Sequence, residues 1–325
     1  MRMFFRYLAR RLLQAGFSVV AIIVLGFALL HLAPGYPVDV LAGEFGTASA
    51  EYLMQLRHEF GLDRPLSIQL LTYFENVLQL NLGFSQRNNM TVLDLILSRL
   101  PATLLLMTTS IELSFFAGLV LGVAAARRVN KLADNLISVF ALLCYAIPLF
   151  WLGLMAIVLF TVKLGLLPGD GMFTIGADHG WFGYTLDVAR HLILPAASLA
   201  LFHMAVYTRL MRASMLEVYS LDYVRTARAK GLTQRRVALA HVLPNAILPM
   251  VSMVGVQIGP MLGGAVLVET VFGWPGLGRL AFDAILQRDY NLLLGILLFS
   301  SMLVVVTNFV IDLVYGWLDP RIEAY

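Results

Sequence analysis

DYVRTARAKGLTQRRVALAHVLPNAILP, residues 222–249, lies between two apolar runs of an otherwise greasy chain. Asp222 to Lys230 reads as a short helix, with an acid at its start, Ala227 and Ala229 as helix formers, and bases towards its end. That order suits the helix dipole. Gly231 can take the left-handed conformation that terminates such a helix, and Thr233 can cap the next one. The small side chains of Thr226, Ala227 and Ala229 leave room for another backbone to approach. Leu243-Pro244 then opens the next apolar run. A folded, charged helix held between two membrane runs presents a docking surface to something in the cytosol; the bland alternative is a solvated basic loop.

Outward from this stretch, 59% of the 325 residues are hydrophobic and 13% are charged, with a mean hydropathy of +0.81. A soluble domain carries about 25% charged residues, which excludes an ordinary globular protein. A bilayer core of about 30 Å needs about 20 mostly apolar residues per helix. Six runs meet that length: 12–33, 102–126, 137–164, 192–211, 246–268 and 292–315. The first follows Arg2, Arg6, Arg10 and Arg11 but is longer than the ~7–15 apolar residues of a secretion signal, so it reads as an uncleaved span. With both termini inside, fifteen of the 23 Lys and Arg fall on the cytoplasmic side, among them Arg127, Arg128, Lys131, Arg209 and Arg212. The positive-inside rule therefore orients the chain N-in, C-in. The expected fold class is an all-α membrane protein of six transmembrane helices. A net charge of +3, with bases that follow this bias, gives nucleic-acid binding no support. Cys144, alone and within a span, reads as a small apolar residue.

Residues 34–100, between the first two spans, are the sizeable segment outside the membrane and read as two amphipathic helices. Ser49 suits the N-cap of the first, Leu53, Leu56 and Phe60 share a face, and Gly61 suits its end. Pro65 opens the second, with Ile68, Leu71 and Leu78 as its apolar stripe. About 65 residues bury little core alone, so this segment should pack on the outer face of the bundle or on a partner. The last outside loop holds a Trp274-Pro275-Gly276 turn and an amphipathic piece near 280–286. Trp274 and Tyr290 suit the interfacial aromatic belt. Residues 165–190, rich in Gly, Asp and aromatics, give no firm expectation.

Polar residues inside the spans are the candidates for a pathway. Glu112 stands near the middle of the second span, where a carboxylate costs about 2.5–3.5 kcal/mol, so it should face inward and be paired or protonated. It reads either as a neutral packing contact or as a pathway residue that meets a cationic ligand such as the ammonium end of a peptide. The fifth span carries Gly255, Gly259 and Gly263 at i, i+4 spacing, with Ser252 and Gln257 nearby and Pro260 in the middle. Close helix packing explains the glycines about as well as pathway lining does, and Pro260 invites a kink. Pro148 is a second kink position, in the third span. Asn308, Asp312 and Tyr315 share one face of the last span, which must meet protein or a cavity. Interhelical hydrogen bonds explain that face more simply than substrate contact.

The spacing of the opening stretch resembles the EAA loop of ABC-importer permeases, in which a Gly and then a Leu-Pro follow the triplet at set intervals. Here the triplet falls on Arg225, Thr226 and Ala227, the glycine is Gly231, and the Leu-Pro is Leu243-Pro244. Arg225 replaces the family's Glu and His241 its Ile. EFGLDRPL (59–66), RLPATL (99–104), RLMRASMLEV (209–218), ETVFGWPGLGRL (269–280) and RDY (288–290) resemble the dipeptide/oligopeptide/nickel branch of these permeases. So does the tail, with Asn308, Asp312, Tyr315 and Asp319-Pro320-Arg321-Ile322. These strings follow the expected order over nearly the whole chain.

The resemblance implies a type I ABC importer permease fold, with the permease domain over 95–316 and a coupling loop over 213–243. In that loop Asp222, Tyr223, Arg225, Thr226, Ala227, Lys230, Gly231 and Leu232 would meet the ATPase. Glu112, Ser252, Gly255, Gln257, Gly259 and Pro260 would border the pathway. The implied partners are a second homologous permease, two ATPase subunits that hold ATP and Mg, and a substrate-binding protein on the outside. The implied location is the cytoplasmic (inner) membrane of a bacterium. The branch carries dipeptides, oligopeptides, nickel or its chelates, glutathione and opine-like solutes, and peptide is the expected cargo because it dominates the branch.

No catalytic residue, metal ligand or resident cofactor is expected, and the chain reads as a transport subunit rather than an enzyme. It has no G-x-x-x-x-G-K-[ST] loop to cradle ATP, HEFGL at His58 lacks the second His of H-E-x-x-H, and no G-x-S-x-G occurs. The six His residues show no ligand spacing. The alternative is an ion-gradient secondary transporter, which is marked by internal repeats and intramembrane acids. Only Glu112 is clearly such an acid, and no repeat is visible.

Overall fold

The computed structural model describes residues 2–32, 64–176 and 180–318, with side chains over 12–28, 64–176, 180–311. The helix expected from Ser49 to Gly61 and the tail from Asp319 lie outside the described residues, as do the side chains of Asp312 and Tyr315.

The fold is mainly helical. In chain order come α1 (Arg2–Leu32), α2 (Leu66–Leu78), a hairpin of β1 (Phe84–Ser85) and β2 (Met90–Thr91), and α3 (Val92–Ala126). Then follow α4 (Leu132–Ala146), α5 (Leu149–Ala156) running into a π-helical turn over Ile157–Lys163, and α6 (Trp181–Tyr219). After these come α7 (Asp222–Ala229), α8 (Gln234–Arg236), a second π-helical stretch over Val237–Val242, and α9 (Leu243–Ala246). The chain closes with α10 (Leu248–Val271), α11 (Leu277–Leu286) and α12 (Tyr290–Leu318). Among the described residues four helices are long and apolar enough to cross a membrane: α3, α6, α10 and the described part of α12. They become five if α4 and α5 make one span. The described apolar part of α1, Leu12–Ala28, is shorter.

The third expected span departs from a kinked rod. Its two helices meet at 101°. Ile147 is extended (φ −75°, ψ 130°) because the ring of Pro148 disfavours a helical residue before it, and Pro148 offers no N–H to bridge the turn. Pro260, by contrast, leaves α10 continuous. Of the stretch 165–190, residues 181–190 form the first turns of α6, which is 39 residues long.

The chain divides into two compact units, one including Met1–Leu100 and Leu280–Phe309, the other Pro101–Arg279. In the first, Ile23 of α1, Val77 of α2 and Leu298 of α12 form a buried cluster, with Tyr73 and Phe74 packed against it. The stripe expected to pack, Ile68, Leu71 and Leu78, is therefore the exposed side of α2. Tyr73, Phe74 and Val77 do the packing instead. The apolar sector of α2 is broader than the face that packs, and its neighbours α1 and α12 take up Tyr73, Phe74 and Val77 from it. The hairpin is tied to the start of α12: Ser85 donates to the Asp289 carboxylate (2.5 Å), and Asp289 in turn accepts from the Leu292 amide (3.1 Å).

In the second unit α6 is the central post, with seventeen buried residues along its length. Gly118 and Gly122 of α3 lie against its backbone: a Cβ on Gly122 would sit 2.6 Å from Met211 Cβ and 2.8 Å from the Thr208 carbonyl. Close small-residue packing is found here, whereas Gly259 and Gly263 of α10 have nothing against them. At the far end of the unit the loop after α10 folds back on itself. Glu269, fully buried, accepts from the Thr103 hydroxyl (2.7 Å) and the Arg279 amide (3.0 Å). Thr103 accepts from the Leu277 amide (2.7 Å). Gly276 and Gly278 pass so close to the carboxylate that any Cβ there would strike it. Trp274, expected at the interface, is fully buried with its indole N–H on the Ala102 carbonyl (2.8 Å), because this knot draws it inward.

Candidate functional site

The helix read from the opening stretch is present and ends one residue earlier than expected, with Lys230 as its C-cap. α7 runs over Asp222–Ala229, Gly231 is left-handed (φ +76°), and the Thr233 hydroxyl accepts from the Arg236 amide (3.4 Å). At 100° per residue its side chains sort into three sectors. Val224 and Ala227 point inward and are buried. Asp222, Arg225, Thr226 and Ala229 lie on the opposite side and are exposed. Tyr223 and Arg228 occupy the flanks and hold the helix in register. The Tyr223 hydroxyl donates to the His241 carbonyl (3.2 Å) and accepts from Asn245 (2.9 Å), while the Arg228 guanidinium lies 5.3 Å from the Tyr219 ring centre.

The inner sector enters a continuous core. Val224 and Ala227 share it with Tyr207, Met211 and Met215 of α6, with Val237, Ala238 and Val242 of the second π-helical stretch, and with Ala246 and Met250. Ala126, the last residue of α3, closes it, and Leu232 packs on its edge. Ala227 thus spends its small side chain on internal packing rather than on an approaching backbone. Thr226 and Ala229 remain the small residues on the open side, beside the exposed Lys230. Any force on the outer sector reaches α6 and α10 through packed side chains.

A second clamp lies beside this core. Asp134, in the first turn of α4, takes a bidentate bond from Arg212 of α6 (2.7 and 2.8 Å) and a further one from the Asn130 amide (2.9 Å). The planar fork of arginine matches both carboxylate oxygens. α4 is thereby fixed to the end of α6 that carries Met211 and Met215.

The pathway candidates do not gather in one place. Gln257 is buried, Gly255 half-buried, and the Ser252 hydroxyl is turned onto its own helix (3.4 Å to the Leu248 carbonyl). Gly259 and Gly263 face open space, with Pro260 exposed beside them. Glu112, expected to face inward, is exposed, and so is Asn308. Among the described residues no group of three or more His, Cys, Asp or Glu is placed to hold a metal ion.

Residues 118–324 match the binding-protein-dependent transport system inner membrane component family, and residues 3–107 match its companion N-terminal family. The chain belongs to this family. It is a multi-pass permease component of an ABC importer. The permease is 40% identical to the di/tripeptide transport system permease protein DppB of Pseudomonas aeruginosa, covering 98% of each chain. It is 39% identical to the dipeptide transport system permease protein DppB of Escherichia coli K12, again over 98% of each. The oligopeptide transport system permease protein AppB of Bacillus subtilis is also 39% identical, over 98% of this chain and 99% of its own. In fold the permease is similar to the inward-facing MetNI methionine ABC transporter, with a TM-score of 0.55 at 18% identity, over 69% of this chain and 96% of that one.

Three features of the permease escaped sequence reading. Asp134 is 78 positions from Arg212, and Thr103 is 166 from Glu269, so no local pattern pairs them. Gly118 and Gly122 do carry a signal, the four-residue spacing of small residues, but the longer glycine run of α10 shares it.

Proposed function

We propose that this chain forms half of the translocation pathway of an ATP-driven importer of di- and oligopeptides. Six spans with both termini in the cytoplasm place α7 on the cytoplasmic side. A second homologous permease completes the pathway, two separate ATPase subunits bind ATP and Mg, and a substrate-binding protein delivers peptide from outside. The chain itself hydrolyses nothing and lies in the bacterial cytoplasmic membrane.

The observation that carries this reading is the division of α7 into an inner sector keyed into the α6–α10 core and a bare outer sector. Asp222, Arg225, Thr226 and Ala229, with Lys230, Gly231 and Leu232 at the end, make the ATPase contact. Closure of the ATPases on ATP displaces α7, and the shared core tilts α6 and α10, a change between two packed states biased by nucleotide. The open glycine face of α10 at Gly259 and Gly263, beside Pro260, borders the pathway. Peptide as cargo is supported by the named cargo of the relatives.

The test is purification from native membranes through a tag on this chain, followed by reconstitution in liposomes. Recovery of an ATPase and a sibling permease, with ATP-dependent peptide uptake that Gly231→Pro abolishes, is the expected result. A chain that purifies alone and moves solute without ATP refutes the reading.

A further inference from the structure

Glu112 lies at the middle of α3, where an ionised side chain must be paired with a cation, bonded within protein, or placed in water. Among the described residues the first two are not met. Glu112 is exposed, and among the described residues it makes no hydrogen bond or ion pair. Among the described residues nothing packs on Glu112 in the way a buried contact would. Along its own helix the nearest bases are Arg99 and Arg127, each about 20 Å away at 1.5 Å per residue.

The setting of Glu112 is a stripe. Leu104, Thr108, Glu112, Phe116 and Val120 follow one another at steps of four, and all are exposed, Phe116 and Val120 by 60% and 65%. The Thr108 hydroxyl is turned back to the Leu104 carbonyl (2.7 Å) and is not available to the carboxylate. The other side of α3 is the keyed side: Ser110 and Ser114 are buried there, and Gly118 and Gly122 abut α6. The helix therefore cannot rotate Glu112 inward without lifting those glycines off Tyr207 and Met211. A carboxylate locked on the open face at this depth needs water and a cation from elsewhere.

We propose that Glu112 is a binding site for a cationic group in transit, the α-ammonium of a peptide, in a water-filled passage that the α3 stripe borders. The assignment rests on the peptide-permease reading above and adds to it the group that is recognised. A carboxylate and an ammonium form a charge-assisted hydrogen bond, and the exposed Phe116 lies one turn away on the same stripe. Leu104 and Val120 set no demand on side-chain identity, which suits cargo of varied sequence. One charged contact on an apolar wall holds the ammonium briefly and lets it go, as conduction requires.

The experiment uses the assembled complex in liposomes. Glu112→Cys is treated with membrane-impermeant cationic and anionic thiol reagents from each side, with and without trapped ATP; the native Cys144 is buried. The expected result is state-dependent labelling, faster with the cationic reagent and slowed by a transported dipeptide. Glu112→Gln should lower peptide turnover roughly ten- to a hundredfold, the loss of one hydrogen bond to a charged group. Co-purification of all subunits should be unchanged, and Glu112→Asp should recover part of the rate. No labelling from either side in any state overturns the proposal, because the face is then sealed by lipid or protein. Loss of the sibling permease from Glu112→Gln also overturns it, by placing the cation on that subunit. A Gln variant with wild-type turnover removes the Glu112 assignment alone, whereas a wild-type complex that moves no peptide removes the peptide reading itself.

Discussion

Val224→Ala tests whether α7 is held by its inner sector. Val224 is fully buried, and with Ala227 it makes up the buried surface of an eight-residue helix. A helix that short has no stability of its own in water, so its docking depends on these contacts and on the flanking Tyr223 and Arg228. The substitution removes two methyl groups, about 0.8 kcal/mol each by transfer, and the cavity left among Met211, Val237 and Val242 raises the loss to about 2–2.5 kcal/mol. A loss of that size shifts docked against undocked α7 by about 30- to 60-fold. Hydrogen exchange of the α7 amides in the purified complex should accelerate by that factor while the rest of α6 and α10 stays protected. In liposomes, fewer substrate molecules should move per ATP hydrolysed. Unchanged exchange in α7 refutes the anchoring argument. Acceleration spread evenly over the whole unit refutes it too, because the core would then be holding the bundle rather than the helix.

On the outer sector, Ala229→Trp should leave α7 exchange as it is and sharply reduce recovery of the ATPase in co-purification. Gly122→Leu forces side-chain atoms into the Thr208 carbonyl and Met211, and should cost about 1–3 kcal/mol or more of overpacking, read as a lower thermal midpoint in detergent. Glu269→Ala strands the Thr103 hydroxyl and the Arg279 amide, about 1–3 kcal/mol for each buried group, and should cut the yield of folded permease more than Glu269→Gln does. Gly231→Ala keeps the chain but places a Cβ in a left-handed residue, at about 1–2 kcal/mol, and should weaken coupling without loss of expression.

Much of this arrangement was legible in order of sequence distance. The start of α7, the left-handed Gly231 and the Thr233 cap depend on residues within a few positions of one another, so the local sequence carries them. The resembled strings were legible as strings, but their pairing was not. RLPATL supplies Ala102 and Thr103 to the knot that ETVFGWPGLGRL makes around Glu269, and RDY supplies the Asp289 that holds Ser85. The expected interfacial Trp274 and the expected packing stripe of α2 failed for the same reason. Each was placed from its own chemistry, while its neighbours across the fold decided where it went.

By itself the sequence determined that this is a helical membrane protein with a charged helix between two spans. Apolar run length, charge bias and capping are properties of contiguous residues and survive in one dimension. Only the tertiary structure decided which face of each helix is inside. α3 and α10 are apolar on nearly every side, so no hydrophobic period selects a face. The choice fell to contacts between distant segments: the glycines of α3 that admit α6, the carboxylate of Glu269 that turns Trp274 inward, and the 101° break at Pro148. In a bilayer both faces of such a helix are tolerated by the solvent, and close packing alone distinguishes them.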